Sequence, residues 1–497
     1  MAPSAHGLVD SSPIICAAGV MASPARQWLG VGTDRVRRVK VNPDISVSGH
    51  LEIFALGDTA CFAGTDGRPL PCVAAAKPTS LPASRQGSDK KTKKVRTRGD
   101  IPMNDTTAAV RSPNFPVAPM SSPFAKALKE KYGQVVLVLQ GGGALGAYQV
   151  GVYQALHEAG VEPDWVIGTS IGAINGAMIA GNPAETRLDR LNAFWRRVEH
   201  SPALAGNSLL PPPFSTMLPN WATITAGVSG FFRPNPLAFL GLNVPLPADA
   251  AGYYSTQPLS ETLSGLVDFS EINAGRTRLT VGAANVHNSA MRYFDSRDME
   301  LSVKHVMASG ALPPAFPPVR IDGELYWDGG ILSNTPVEAV FDDKPRQNSL
   351  VFAVHLWNPR GPEPESMRQV LNRQKELQYS SRAVSQIQRQ QQIHRLRHIV
   401  AELSARLPKS ERAEPEVCEM ASYGCLTRMH VVRLLAPMLK GEDHTKDIDF
   451  SSAGIQRRRE AGYEHGRRVL EQEPWKADFD SIEGFVLHEA PSLAGAM

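Results

Sequence analysis

The clearest hydrophobic pattern in the chain begins just after Gln134. Val135-Val-Leu-Val-Leu139 is a continuous apolar run of strand length, which predicts a strand buried on both faces. Past the glycines that follow it, Val150, Val152, Tyr153, Leu156 and His157 recur at roughly helical spacing up to Gly160. Trp165-Val-Ile167 predicts a second, shorter strand. Ala173 to Ala180 is small, apolar and helix-compatible, and Gly181-Asn-Pro183 stops it. Two strand–turn–helix units in succession open an α/β fold. Arg278-Leu-Thr-Val-Gly282 and Ser349-Leu-Val-Phe-Ala-Val354 predict further buried strands, and Gly323 to Gly330 predicts a hairpin and strand ending in a Gly turn.

Around this centre the pattern changes. Residues 201–258 are rich in Pro and Gly, with Phe214, Trp221, Phe231, Phe232, Tyr253 and Tyr254 scattered among them, as suits an irregular insertion or cap. Residues 366–407 are rich in Gln and Arg. Leu377, Val384, Ile387, Ile393, Leu396, Val400 and Leu403 mark an apolar stripe there at helical spacing. The plain reading is a packed surface helix; the sharper one is a membrane-surface or partner-binding helix with Arg389, Arg395 and Arg397 on its polar side. A last helix is expected from Ser451 to Leu470. At the other end, Pro13–Val20, Val39–Val41 and Glu52–Asp58 read as short strands. Residues 78–125 hold Lys90, Lys91, Lys93, Lys94, Arg96 and Arg98 amid Ser, Pro and Thr, the composition of a solvated linker. No aromatic residue interleaves those charges, so nucleic acid is not expected.

Composition narrows the class only a little. The 497 residues are 42% hydrophobic with a formal net charge of +3, ordinary for a globular protein of two or three domains. The five cysteines (Cys16, Cys61, Cys72, Cys418, Cys425) show no disulfide or zinc spacing, which predicts reduced thiols and no metal site. A cytoplasmic location is expected, with contact at the inner membrane surface as a refinement. There is neither a signal-peptide pattern nor a run of 18 apolar residues.

The candidate chemistry lies at the strand ends. Gly168-Thr-Ser170-Ile-Gly172 fits the G-x-S-x-G nucleophile elbow, in which a Ser sits at the apex of a sharp strand-to-helix turn. Its flanking glycines remove bulk so that the turn can close, and the helix N-terminus behind the Ser favours developing negative charge. Gly141-Gly-Gly-Ala-Leu-Gly146 offers bare backbone N–H groups suited to an anion. A dinucleotide fingerprint fits poorly, since no acidic residue follows about 20 positions on, and no Lys-Ser/Thr completes a P-loop. The remaining role is an oxyanion hole, whose donors are typically worth roughly 3–4 kcal/mol each. Among the 13 histidines, His287, His305 and His355 fall in this region, but none sits at an obvious strand-end turn. Asp328-Gly-Gly330 does. Alone it reads as a turn; after the two earlier motifs it reads as the base that an activated Ser requires.

These three motifs, in this order, resemble the patatin-like phospholipase family over roughly 134–345. Ala308-Ser-Gly-Ala-Leu-Pro-Pro-Ala-Phe-Pro-Pro318 resembles the segment leading to that family's Asp strand. The resemblance implies a three-layer α/β/α fold and a Ser-Asp dyad: Ser170 attacks the acyl carbonyl, Asp328 accepts its proton, and no cofactor is needed. It implies an oxyanion hole from the amides of Gly141, Gly142, Gly143, Ala144 and Ile171, framed by the motif glycines Gly146, Gly168, Gly172, Gly329 and Gly330. Leu145 stands where many members carry Arg or Lys, which puts cationic help with a lipid phosphate in doubt. Residues 1–77 resemble an internal piece of type II NADH dehydrogenase. There Gly57-Asp58 corresponds to a flavin contact, but no dinucleotide loop precedes it.

The expected organisation is therefore a truncated flavoprotein-like α/β fragment (1–77), a basic linker (78–130), a catalytic domain (131–345) and a mainly helical C-terminal extension (346–497). The expected activity is hydrolysis of lipid acyl esters of phospholipase A type, with a lipid or acyl-ester substrate. A lysophospholipase or thioesterase using the same dyad is the near alternative. A flavin-dependent NADH oxidoreductase and a catalytically silent lipid-binding scaffold are the remote ones.

Overall fold

The computed structural model describes residues 122–199, 227–239, 245–477 and 483–490, together with Asn42 and short strands between residues 14 and 71. It divides into two units, 1–109 and 110–497. In the first, Ile14–Cys16 runs parallel to His50–Leu56, which also pairs antiparallel with Ser46–Val47. Ala60–Ala63 pairs parallel with Val39–Lys40 and antiparallel with Pro69–Pro71. Gly57-Asp58 and the basic run at 90–98 lie outside the described residues.

The second unit opens with α1 (Pro123–Tyr132), so ordered structure begins inside the 78–130 span. The Ser122 hydroxyl caps α1 by accepting from the Ala125 amide at 3.1 Å, and Ala125, Leu128 and Tyr132 turn inward. In chain order there follow β1 (Gln134–Leu139), α2 (Ala147–Glu158), β2 (Trp165–Gly168), α3 (Ile171–Ala180), β3 (Arg278–Asn285), β4 (Met291–Asp295), α4 (Val303–Ser309), β5 (Val319–Ile321), β6 (Glu324–Asp328), β7 (Ser349–His355), α5 (Met367–Arg406), β8 (Met429–Leu435), α6 (Ser452–Gln472) and β9 (Phe485–Glu489).

The strands form one sheet in the order β5-β6-β3-β2-β1-β7-β8-β9, with β4 on β3. From β3 through β9 neighbours are parallel, while β4, β5 and β6 pair antiparallel. Central β1 lies between β2 and β7, which explains its unbroken apolar run. Val135, Leu137 and Leu139 join a core cluster with residues of α2 and α3, and Val136 and Val138 join a second one with Phe341 and Ile387. Core on both faces of the sheet gives three layers. Each of these buried side chains contributes about 1.5–3 kcal/mol.

The boundary expected at 345 falls inside this sheet, because β7, β8 and β9 extend it. Helices α2 and α6 cross at backbone contact. A Cβ on Gly151 would lie 2.0 Å from the Arg459 carbonyl oxygen, and one on Gly462 2.0 Å from that of Tyr148. The long helix α5 departs from expectation. Of its predicted apolar stripe Ile387 is buried, but Leu377, Leu396 and Leu403 are exposed. Its buried face carries instead Glu376, Ser380, Gln390, His394 and His398. Polar partners make this tolerable: Glu376 pairs with buried Lys446, and His394 and His398 each share the Thr427 carbonyl at 2.8 Å. No helix among the described residues is long and apolar enough to cross a membrane.

Candidate active site

Two strands that run in opposite directions deliver the reacting groups to one point. β2 pairs with the first half of β3, ending with Gly168 opposite Val281. β6 pairs with the second half, ending with Asp328 opposite Ala283. β4 occupies the other edge of β3 from Thr280 to Ala284, so β2 and β6 share one edge and their ends meet around Gly282. A Cβ on Gly282 would lie 2.4 Å from the Met291 methyl, and one on Gly329 2.4 Å from the Gly282 carbonyl oxygen, so the meeting point is built from bare backbone.

Ser170 is separated from the end of β2 by Thr169 alone and is the N-cap of α3. Its φ of 56° and ψ of −125° are a strained conformation for a residue with a side chain. The glycines two positions away are required by contact. A Cβ on Gly168 would lie 2.3 Å from the Gly172 carbonyl oxygen, and one on Gly172 2.2 Å from that of Leu139. Gly146 is similarly confined, 2.5 Å from the Ile171 side chain. The Ser170 amide is held at 3.1 Å by both the carbonyl and the hydroxyl of Ser309, whose hydroxyl donates to the Gly282 carbonyl at 2.6 Å. Fully buried Ser309, from the segment 308–318, thus braces the elbow against β3. Sequence reasoning singled out that segment but not this residue.

Asp328 is buried at the end of β6. Its carboxylate accepts from the Gly330 amide at 2.7 Å, and it lines the same cavity as Ser170. Burial pushes its pKa up to about 7, and the nearby Ser170 side chain and the Gly330 amide oppose the rise without cancelling it. A carboxylate with that pKa is matched to accepting and returning a proton near neutrality. His287, His305 and His355 do not line the site. His287 is exposed beside Glu324, His305 accepts from the Ser302 amide at 2.9 Å, and buried His355 is pushed down to about 3 by desolvation.

The expected oxyanion donors separate into two groups. The Gly141 amide donates to the Asn334 carbonyl at 3.1 Å and the Ala144 amide to the Asp447 carbonyl at 2.8 Å, so neither is available to a substrate. The amides of Gly142, Gly143 and Ile171 have no acceptor among the described residues, and all three residues line the cavity beside Ser170 and Asp328. Gly143 has φ +55°, and a Cβ there would lie 2.3 Å from the Asp447 carbonyl oxygen.

The cavity has about 170 Å³ of free volume and an apolar wall. Phe231, Phe232 and Tyr254 come from the Pro/Gly-rich insertion and pack with Phe316 and Phe450; the Phe232 and Tyr254 rings are 4.9 Å apart. Phe214 and Trp221 lie outside the described residues. Among the described residues no Lys or Arg lines the cavity, and Leu145 is buried in the core. Asp447, the one further acid among the described lining residues, is paired with Lys375 at 2.7 Å.

Residues 137–341 match the patatin-like phospholipase family, and 377–481 match a second one described as patatin phospholipase. The chain carries patatin-like phospholipase domains over these residues. Similar to it is the human "Patatin-like phospholipase domain-containing protein 6", 30% identical over 209 residues, which are 41% of this chain and 12% of that protein. "Lysophospholipase NTE1" of Meyerozyma guilliermondii is 28% identical over 204 residues, 41% of this chain and 11% of that one. The chain thus spans only a small part of these relatives' length. VipD of Legionella pneumophila superposes with a TM-score of 0.30 at 16% identity, covering 72% of each chain. All the patatin-like motifs, from the Gly loop to Asp328-Gly-Gly330, fall inside 137–341, whereas the cavity also draws on Trp357, Tyr379, Asp447, Ile448 and Phe450 beyond it.

Proposed function

We propose that this chain is a lipid acyl hydrolase that cleaves carboxylic esters through a Ser170–Asp328 dyad. The observation that carries the reading is that a strained Ser170 at the head of a helix and a buried Asp328 line the same apolar cavity. Asp328 takes the proton as Ser170 Oγ attacks the acyl carbonyl. The negative charge on the former carbonyl oxygen is held by the amides of Gly142, Gly143 and Ile171, aided by the N-terminus of α3. The aromatic wall holds the acyl chain. Collapse releases the alcohol and leaves an acyl-Ser170, and Asp328 then activates water to free the fatty acid.

The relatives named lysophospholipases favour a single-chain ester as a second reading of the same site. Phosphatidylcholine, lysophosphatidylcholine, an acyl-CoA and p-nitrophenyl butyrate, offered side by side, separate these readings from a thioesterase. Absence of ester cleavage in all of them sinks the proposal.

The same reading includes contact with a lipid surface. Met367, Leu371, Lys375 and Tyr379 lie on one i, i+4 row of α5. Tyr379 lines the cavity and Lys375 pairs with cavity-lining Asp447, while Met367 and Leu371 are 72% and 42% exposed. Val370 and Leu377 widen the exposed apolar arc beside them. Replacing Met367 and Leu371 together by Ser should lower co-sedimentation with phosphatidylcholine vesicles by roughly 10-fold or more. The rate on soluble p-nitrophenyl butyrate should stay unchanged. Undiminished vesicle binding would remove this face from the account.

A further inference from the structure

The first family match ends at residue 341, yet half of the ties that hold the Gly loop come from beyond it. The Gly141 carbonyl accepts from the Trp357 indole N–H at 2.9 Å and from the Asn334 side chain at 3.2 Å. The Asn334 carbonyl takes the Gly141 amide, and the Asp447 carbonyl takes the Ala144 amide at 2.8 Å. The two ends of the loop are tied, and the two amides between them are left over.

Peptide geometry turns this tie into an aiming device. In a trans peptide the C=O of one residue and the N–H of the next point in opposite directions. Drawing the Gly141 carbonyl toward Trp357 and Asn334 therefore turns the Gly142 amide the other way. At Gly143 the left-handed backbone lies against the Asp447 carbonyl with no room for a side chain. Trp357 is itself held. Tyr379 packs on its ring at a centroid distance of 4.9 Å, and the Lys446 ammonium sits 5.4 Å from its centre. Tyr379, Lys446 and Asp447 all belong to the second matched segment, 377–481.

We infer that the region after residue 345 is a working part of the oxyanion hole, with Trp357 as a positioning residue that sets the direction of the Gly142 amide. This rests on the ester-hydrolase reading above and gives the segment 377–481 a task within it. Trp357 touches no reacting atom; it acts through the loop. The interaction matters most when charge has developed on the substrate oxygen, so its loss should appear in turnover rather than in substrate binding.

The test is Trp357→Phe in the full chain, which keeps an aromatic ring and deletes the N–H. On p-nitrophenyl butyrate, kcat should fall roughly 10- to 100-fold, less than the loss of a direct donor, with KM within about twofold. Affinity for a trifluoromethyl ketone, which forms a tetrahedral adduct on Ser170, should fall by the same factor as kcat/KM. Asn334→Ala removes the other side-chain donor to the same carbonyl and should give the same split; it stands in if Trp357→Phe does not fold. An active wild type matched by both folded variants in kcat and in ketone affinity overturns the inference, as does a change confined to KM. An inactive wild type overturns the hydrolase reading itself.

Discussion

Ser170→Ala and Asp328→Asn should each leave a folded protein whose turnover of a p-nitrophenyl acyl ester is lower by about 10³-fold or more. On the proposed mechanism the two groups act as a unit: the hydroxyl is a weak nucleophile unless its proton has somewhere to go, and among the described residues no histidine lines the cavity to take it. The double variant should therefore be scarcely worse than either single one. The pH profile of the wild type follows from the same carboxyl. Asp328 must be ionised to accept the proton, and its pKa is about 7, so kcat/KM should rise with pH through that value and level off above it. A profile already flat from pH 5 upward would remove Asp328 as the base, and so would a residual rate in Asp328→Asn close to that of wild type.

The same Asp328→Asn variant should be more stable than the wild type above neutral pH. In the unfolded chain the carboxyl titrates at about 3.8, in the folded protein at about 7. Between these values the folded state holds a proton that the unfolded state has released, so this group's contribution to stability falls as pH rises and is fully lost above about 7. At 1.36 kcal/mol per pKa unit the cost at pH 8 reaches about 4 kcal/mol, from which the amide's own burial must be subtracted. Chemical denaturation at pH 5 and pH 8 reads it directly. The gain should be larger at the higher pH, and a gain that is absent or that shrinks with pH would contradict a desolvated carboxylate.

Much of this was legible in the chain because the decisive residues are local. The apolar run 135–139 could only be a doubly covered strand, and Gly168 and Gly172 flank Ser170 for contact reasons that any tight strand-to-helix turn imposes. What the sequence hid is long-range. Nothing near Gly141 or Ala144 announces that their amides are occupied, because the acceptors are the carbonyls of Asn334 and Asp447, some 190 and 300 positions away in the chain. The close crossing at Gly151 and Gly462 is equally silent, since neither glycine belongs to a recognisable pattern. The periodicity of α5 misled for a different reason. The packed-helix reading turns its apolar residues inward, but Glu376, His394 and His398 are buried against Lys446 and the Thr427 carbonyl in neighbouring loops, and Leu377, Leu396 and Leu403 stay outside.

Because β2 and β6 abut on a single edge of β3, the positions of Ser170 and Asp328 are both counted from the same few residues around Gly282. Chain added or removed between the two, as in the insertion that carries Phe231 and Phe232, alters the walls without disturbing that shared origin. The scaffold can thus exchange what it admits while keeping how it cuts, and variation in loop length is the natural route by which such an architecture would acquire new substrates.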